Sequence, residues 1–122
     1  MDQGRFRALL EEERGRLVEL HTGLLEAAQP VELETAGDPS SGGHLADVGS
    51  EMFDRSRDLS IAEDLAAQLT EIDHAMGRLD HGTYGRCEAC GRDIGADRLA
   101  ARPAARFCLD DQREAEREAH LR

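Results

Sequence analysis

The chain has 122 residues, a length that suits one domain or a long helical element with a small module attached. Aromatic residues make up 3% and charged residues 34%, which excludes a large hydrophobic core and calls for long paired helices, a metal or a partner to supply stability. The formal net charge of -11 disfavours direct contact between the whole chain and nucleic acid, because both are anionic.

Residues 3–28 are predicted to form the first helix. Its apolar side chains recur at alternating spacings of four and three residues, and only Glu13 interrupts the series. The members of this heptad stripe are Phe6, Leu10, Leu17, Leu20 and Leu24. A narrow stripe of this kind is typical of a helix that pairs with one other helix.

A loop or tip is expected at about 29–50, because residues 29–43 contain two prolines and three glycines. The second helix is predicted to begin between Asp47 and Ser50, since either side chain can accept a hydrogen bond at a helix N-terminus. Its early apolar side chains are Val48, Met52, Phe53 and Leu59.

A second heptad stripe follows and ends before Gly82, a residue that suits the C-terminus of a helix. It consists of Ala62, Leu65, Leu69, Ile72, Met76 and Leu79. Two helices with narrow stripes and one connecting loop fold most simply as an antiparallel coiled-coil hairpin, here over residues 1–80. The same spacing also allows two chains to dimerise. We expect the hairpin within one chain, because the helices are similar in length and the loop is short.

The three cysteines lie in the predicted zinc-finger module, residues 81–111. Cys87-x-x-Cys90 has the form of a zinc knuckle, because a two-residue gap lets both sulfurs face one ion. The pair Cys108-x-x-Asp111 follows with 17 residues between Cys90 and Cys108, a spacing typical of the second half of a zinc site. We therefore predict a Zn²⁺ ion held by these three thiolates and by the Asp111 carboxylate.

Other interpretations of the cysteine module stay open. Asp110, His81 or a water molecule could take the fourth ligand position, and the fold could have lost its metal and be stabilised by packing alone. A redox sensor that uses the Cys87, Cys90 and Cys108 cluster is the alternative function. Residues 112–122 form a charged segment that is predicted to be a short C-terminal helix.

Several short motifs carry a family resemblance: Gly82-Thr83-Tyr84-Gly85, Cys87-x-x-Cys90-Gly91, Ile94-Gly95, Arg98-Leu99, Ala101-Arg102-Pro103 and Cys108. Together they resemble the DksA/TraR family of bacterial zinc-finger proteins, over about thirty residues from Leu79 to Asp111. The long helical hairpin that precedes them is similar to the DksA-like branch of that family, so the resemblance extends loosely over residues 3–122.

The resemblance implies a mainly α fold, in which a small zinc finger and a short C-terminal helix follow the coiled-coil hairpin. It also implies a transcription regulator that binds bacterial RNA polymerase and inserts the hairpin into the secondary channel. Such a regulator changes transcription initiation without direct contact with DNA, often together with guanosine tetraphosphate.

The sequence departs from the family pattern in two regions. Asp111 stands where the fourth zinc cysteine is expected. At the tip, the family motif Asp-x-x-Asp-x-Ala aligns with residues 44–49, of which only Asp47 matches. Asp47 is therefore the candidate for a carboxylate that faces the polymerase, and an N-cap role for the same residue is the alternative.

Further expectations follow from what the sequence lacks. No apolar run approaches the roughly 20 residues that span a bilayer, and residues 1–5 lack the apolar stretch of a secretory signal. We therefore expect a cytoplasmic protein that does not contact membranes. A zinc site closed by four protein ligands has no open position for a substrate, so we expect no enzymatic activity. We also expect a monomer.

Overall fold

The computed structural model describes residues 2–27 and 44–121, except for the side chains of residues 44–48 and 51. These residues form four α-helices: α1 (Gln3–Ala27), α2 (His44–His81), α3 (Ala96–Ala101) and α4 (Leu109–Leu121). The described residues contain no strand, only an isolated antiparallel bridge between Arg86 and Asp93. The predicted mainly α fold is confirmed. None of the described helices combines the length and the apolar composition needed to cross a membrane.

The first helix begins where its sequence supplies a hydrogen-bond acceptor. The Asp2 carboxylate accepts a hydrogen bond of 3.1 Å from the backbone N–H of Arg5. One of the N–H groups that a helix leaves unpaired at its N-terminus is satisfied in this way. The predicted helix, residues 3–28, is confirmed over Gln3–Ala27, and residue 28 lies outside the described residues.

The second helix begins earlier than the sequence predicts. It starts at His44, so the predicted start between Asp47 and Ser50 is wrong and Asp47 lies inside the helix rather than at its N-cap. Leu45 and Ala46 are strong helix formers, and they favour extension of the helix past both candidate caps. Of the loop or tip predicted at about 29–50, residues 29–43 lie outside the described residues, whereas residues 44–50 belong to α2, so the prediction is wrong for those seven residues.

The C-terminus of α2 ends in a Schellman motif. Gly82 has a φ of 75°, and its N–H donates to Leu79 O at 3.3 Å, while the N–H of Thr83 donates to Arg78 O at 2.9 Å. Glycine adopts this left-handed conformation without the steric cost that a Cβ brings. The predicted end of the helix at Gly82 is confirmed.

The chain divides into two compact units, of which the first comprises Met1–Gly15 and Leu69–Arg122. Within this unit α1 and α2 run antiparallel, as two ion pairs show. Arg7 contacts Asp80 at 2.6 Å and Arg14 contacts Asp73 at 2.9 Å. Seven residues forward along α1 therefore correspond to seven residues backward along α2. These pairs form within one chain, as the hairpin prediction requires.

The core of the first unit contains side chains from both long helices and from the segment that follows them. The buried residues are Phe6, Leu10, Ile72, Ala75, Leu79, Tyr84, Cys87, Ile94 and Leu99. The Phe6 and Tyr84 rings lie 5.7 Å apart between centroids at an interplanar angle of 43°, a favourable tilted arrangement. The N-terminal turns of α1 therefore pack directly against the residues that follow α2.

The second unit, Arg16–Gln68, buries less of the predicted stripes. Leu17, Ala62 and Leu65 are buried. Leu20, a member of the α1 stripe, is in contrast 47% exposed, and Phe53, which precedes the second stripe on α2, is 72% exposed. The predicted stripe of α1 is thus wrong at Leu20, because heptad spacing identifies a face of a helix but not how far the partner helix covers it.

Candidate metal centre

The first half of the candidate metal centre is a tight turn between Gly85 and Ile94. The backbone N–H of Cys87 donates to Arg92 O at 2.8 Å, and that of Ile94 donates to Gly85 O at 2.8 Å. Inside this ladder the N–H of Gly91 donates to Cys87 O at 2.9 Å. Gly91 has a φ of 75°, which accounts for glycine directly after the second cysteine.

The start of α4 supplies the second half of the centre. The helix begins at Leu109, so the predicted start at residue 112 is wrong by three residues. The N–H of Gln112 donates to Cys108 O at 2.9 Å, which makes Cys108 the residue before the first turn. Asp110 and Asp111 lie in that first turn, where a negative charge interacts favourably with the helix dipole.

These two segments bring the four predicted ligands into one cluster. The ligand atoms of Cys87, Cys90, Cys108 and Asp111 all lie within 4.8 Å of one another. The Sγ atoms of Cys90 and Cys108 are 3.9 Å apart. Asp111 Oδ2 lies 3.0 Å from Cys87 Sγ and 3.2 Å from Cys108 Sγ.

The cluster has the donor set and the size of a tetrahedral zinc site. With zinc–sulfur bonds of about 2.3 Å, the sulfur–sulfur edges of a tetrahedron are about 3.8 Å, close to the 3.9 Å between Cys90 and Cys108. The two sulfur–oxygen distances would lengthen by a few tenths of an ångström around an ion. Among the described residues, neither Asp110 nor His81 belongs to the cluster, and His81 Nδ1 instead contacts Gly77 O at 2.7 Å.

Hydrogen bonding within the cluster separates the protonation states of its members. The thiols of Cys90, Cys87 and Cys108 lower the pKa of the Asp111 carboxyl to about 2. The same carboxylate raises the pKa of the Cys90 thiol to about 12. Without a metal, the cluster is therefore a carboxylate that accepts thiol hydrogen bonds, and a cation has to displace the Cys90 proton to bind its sulfur.

The pKa of the Cys87 thiol is lowered, whereas that of the Cys90 thiol is raised. Desolvation and the Asp111 carboxylate disfavour ionisation of Cys87, but hydrogen bonds from the backbone at Cys108, Cys90 and Ala89 lower the pKa of this thiol. Such backbone donors are the expected feature of a zinc knuckle, because they stabilise the thiolate that binds the ion.

Side chains around the cluster fix it to the rest of the first unit. Tyr84 is buried, and its hydroxyl donates to Pro103 O at 2.7 Å. Arg98 Nε donates to Phe107 O at 3.1 Å, directly before Cys108. Phe107 itself is partly buried.

A group of charged residues next to the cluster was not predicted from the sequence. Glu88, between the two knuckle cysteines, lies 3.5 Å from Arg78 Nη1 and 3.2 Å from Arg106 Nε. Arg106 also lies 3.4 Å from Glu71 Oε1 on α2. The sequence carries one general signal of such contacts: residues 58–80 contain six acids and one arginine, whereas residues 86–106 contain five arginines and three acids.

The remaining predicted site residue is not part of this centre. Asp47 lies in the first turns of α2, and its side chain is outside the described part of the structure.

Comparison with known proteins identifies what the chain resembles. Residues 82–117 match the profile of the prokaryotic dksA/traR C4-type zinc finger. The solved structure of transcription factor DksA2 from Pseudomonas aeruginosa is similar, with a TM-score of 0.75 and 32% sequence identity. That similarity covers 97% of this chain and 85% of the other.

Curated bacterial proteins show the same similarity. General stress protein 16O of Bacillus subtilis is 36% identical over 85 residues, which cover 68% of this chain and 52% of that protein. The RNA polymerase-binding transcription factor DksA of Caulobacter vibrioides is 38% identical over 73 residues, covering 60% of this chain and 51% of that protein. The matched region thus spans about half the length of these relatives.

Proposed function

The chain belongs to the DksA/TraR family of zinc-finger proteins, and on that basis we propose that it binds Zn²⁺ and regulates transcription by binding bacterial RNA polymerase. The observation that carries the proposal is the cluster of Cys87, Cys90, Cys108 and Asp111. It lies in the segment that matches the family's zinc finger, within a fold that resembles DksA2 over nearly the whole chain.

Zinc has a structural role in this proposal. The ion would join the knuckle of Cys87 and Cys90 to the first turn of α4 through Cys108 and Asp111. Four protein ligands leave no position for a reacting water, so we propose no catalytic activity. Two of the relatives are named as transcription factors, which supports the same conclusion.

The polymerase is the proposed partner because a relative with 38% identity carries polymerase binding in its name. The finer proposal is that the helical hairpin enters the secondary channel, with the region of Asp47 as its tip. A net charge of -11 supports contact with a basic protein surface rather than with DNA. Guanosine tetraphosphate is a proposed second ligand of that complex, and the cytoplasm is the proposed compartment.

Binding is tested by size-exclusion chromatography of the purified protein with bacterial core polymerase at low and high salt. We expect co-elution at low salt that weakens as salt increases, because screening reduces attraction between the acidic chain and a basic surface. A protein that elutes separately at low salt would contradict polymerase binding.

The route of entry needs a separate experiment. A photo-crosslinking residue at position 47 should react with the lining of the secondary channel, whereas the same residue at position 113, on α4, should not. Crosslinks from position 47 to another polymerase surface would refute entry through the channel and leave polymerase binding intact.

The alternative of a thiol redox sensor is not favoured. The relatives that carry a functional name point to transcription rather than to thiol chemistry.

A further inference from the structure

The Glu88 carboxylate connects the metal cluster to α2. Glu88 lies between Cys87 and Cys90, so its backbone belongs to the turn that would hold the metal. Its two carboxylate oxygens contact different arginines, Arg78 at 3.5 Å and Arg106 at 3.2 Å. Because Arg78 belongs to α2, one residue of the knuckle reaches the helix directly.

Arg106 makes the second connection. Its Nη1 lies 3.4 Å from Glu71 Oε1, about two turns before Arg78 on α2. Its backbone carbonyl accepts a hydrogen bond of 2.9 Å from the N–H of Glu88. Arg106 is therefore held by Glu88 through both its backbone and its side chain, and it contacts α2 at a point separate from that of Arg78.

The contribution of these ion pairs to stability depends on how far the arginine side chains are removed from water. The Arg78 side chain is 12% exposed, and its Nη2 also lies 3.4 Å from the carbonyl oxygens of Ala104 and Ala105. Arg106 Nε is buried and has no aligned hydrogen bond among the described residues, although Glu88 Oε2 is 3.2 Å away. The Arg106 and Glu88 side chains are otherwise 39% and 37% exposed, so water screens their ion pair. A small movement of the knuckle would thus cost most at Arg78, whose guanidinium is the desolvated one of the two.

We propose that Glu88 couples metal binding in the knuckle to the C-terminal part of α2 through Arg78 and Arg106. The ion fixes the turn between Cys87 and Cys90, and the fixed turn holds Glu88 where both arginines reach it. By reciprocity, the contacts of Glu88 with the arginines strengthen metal binding, and loss of the metal loosens the attachment of the finger to residues 71–78. The coupling rests on the proposed zinc binding.

Zinc affinity, measured by competition with a chromophoric chelator, tests the coupling. Simple electrostatics and the proposal predict opposite signs for Arg106→Gln. Removing a positive charge near a cation site should strengthen zinc binding, whereas loss of the coupling should weaken it by about threefold to tenfold. Glu88→Gln should weaken zinc binding to a similar extent. Because both substitutions break the same connection, the double variant should bind zinc with about the affinity of the weaker-binding single variant.

Two substitutions serve as matched controls. Arg92→Gln removes an exposed arginine whose charge lowers the pKa of Asp111, and it should leave zinc affinity unchanged or raise it. Asp73→Asn breaks the ion pair with Arg14 in the same unit and should leave zinc affinity unchanged. If Arg106→Gln fails to fold, Glu71→Gln breaks the same connection from the α2 side without touching the finger.

Amide hydrogen exchange supplies a readout that a local effect on the metal would not change. Zinc should slow exchange at residues 71–78 in the wild-type chain by about tenfold, and by clearly less in Glu88→Gln. Zinc binding by the wild type together with equal or tighter binding by Arg106→Gln would overturn the coupling alone. Absence of zinc binding by the wild type would overturn the metal site as well.

Discussion

Cys108 Sγ and Asp111 Oδ2 lie 3.2 Å apart because Cys108 immediately precedes α4 and Asp111 is the third residue of that helix. At these two positions a side chain in the first turn folds back toward the residue that caps the helix, as in a capping box. The helix therefore presents its third residue to the cysteines, whatever the residue type at that position. A carboxylate there keeps the geometry of a zinc ligand and changes only its chemistry.

Replacement of that carboxylate tests the fourth ligand. Asp111→Cys should bind zinc at least tenfold more tightly than the wild type, because a thiolate suits zinc better than a carboxylate in a site that already has three thiolates. Asp111→Asn should bind it more weakly. Chelator competition at fixed pH measures both effects, and Asp110→Asn, on the neighbouring exposed residue, is the control. Equal affinity in all four proteins would show that Asp111 does not bind the metal.

The buried tyrosine predicts a loss of stability at alkaline pH. Desolvation raises the pKa of Tyr84 to about 12, with a smaller opposing effect of Arg78, whereas an unfolded tyrosine has a pKa of about 10. Because the folded state holds this proton more tightly, the contribution of Tyr84 is fully present below pH 10 and is lost as the pH rises from about 10 to 12.

The measurement compares the free energy of unfolding of the wild type with that of Tyr84→Phe. Below pH 10 the wild type should be more stable by about 1 kcal/mol, owing to the hydrogen bond of 2.7 Å to Pro103. That advantage should shrink steadily toward pH 12, and a constant difference would contradict the assignment. The chain has one tyrosine and no tryptophan, so the absorbance of tyrosinate reports the titration directly.

The difference in burial between two leucines of α1 allows a test of where the core ends along that helix. Leu10 is fully buried, so Leu10→Ala should lower the free energy of unfolding by about 3 kcal/mol through lost burial and the cavity that remains. Leu20 is 47% exposed, and Leu20→Ala should cost less than about 1 kcal/mol. Chemical denaturation of both variants gives the comparison. Equal losses would mean that a partner covers Leu20 in solution.

Two glycines near the end of α2 should respond to alanine with opposite signs. Gly82 has a φ of 75° and open space where a Cβ would lie, so Gly82→Ala should destabilise the protein by about 1 kcal/mol through backbone strain alone. Gly77 lies inside the helix, again with open space, and Gly77→Ala should stabilise by about 0.5–1 kcal/mol. Thermal unfolding distinguishes the two, and a shift of the same sign would contradict the Schellman geometry.

The sequence predicted those features that depend on local chemistry. The end of α2 follows from glycine at position 82, and the grouping of the three cysteines with Asp111 follows from two pairs with a spacing of three and a suitable gap. Both depend on backbone geometry over a few residues, which the residue types largely determine.

The sequence predicted two kinds of feature poorly: helix ends where a capping residue competes with the helix propensity of its neighbours, and contacts between residues that are far apart in the chain. The predicted start of α2 is too late because Asp47 and Ser50 can cap a helix, yet the intrinsic preference of the preceding residues favours an earlier start. The contacts of Glu88 were missed because its arginine partners are 10 and 18 positions away, and no local pattern records such proximity. Exposure of Leu20 likewise depends on how far α2 covers α1.

The ring contact between Phe6 and Tyr84 has a consequence for the register of the hairpin. The ion pairs Arg7–Asp80 and Arg14–Asp73 repeat after seven residues, so a slip of one heptad would keep one of the two pairs. The same slip would bring Glu13 in place of Phe6 to the Tyr84 ring. The aromatic contact thus disfavours a misalignment of the two helices that the ion pairs alone would tolerate. Tyr84, which lies in the segment after α2, therefore helps to set the register of α1.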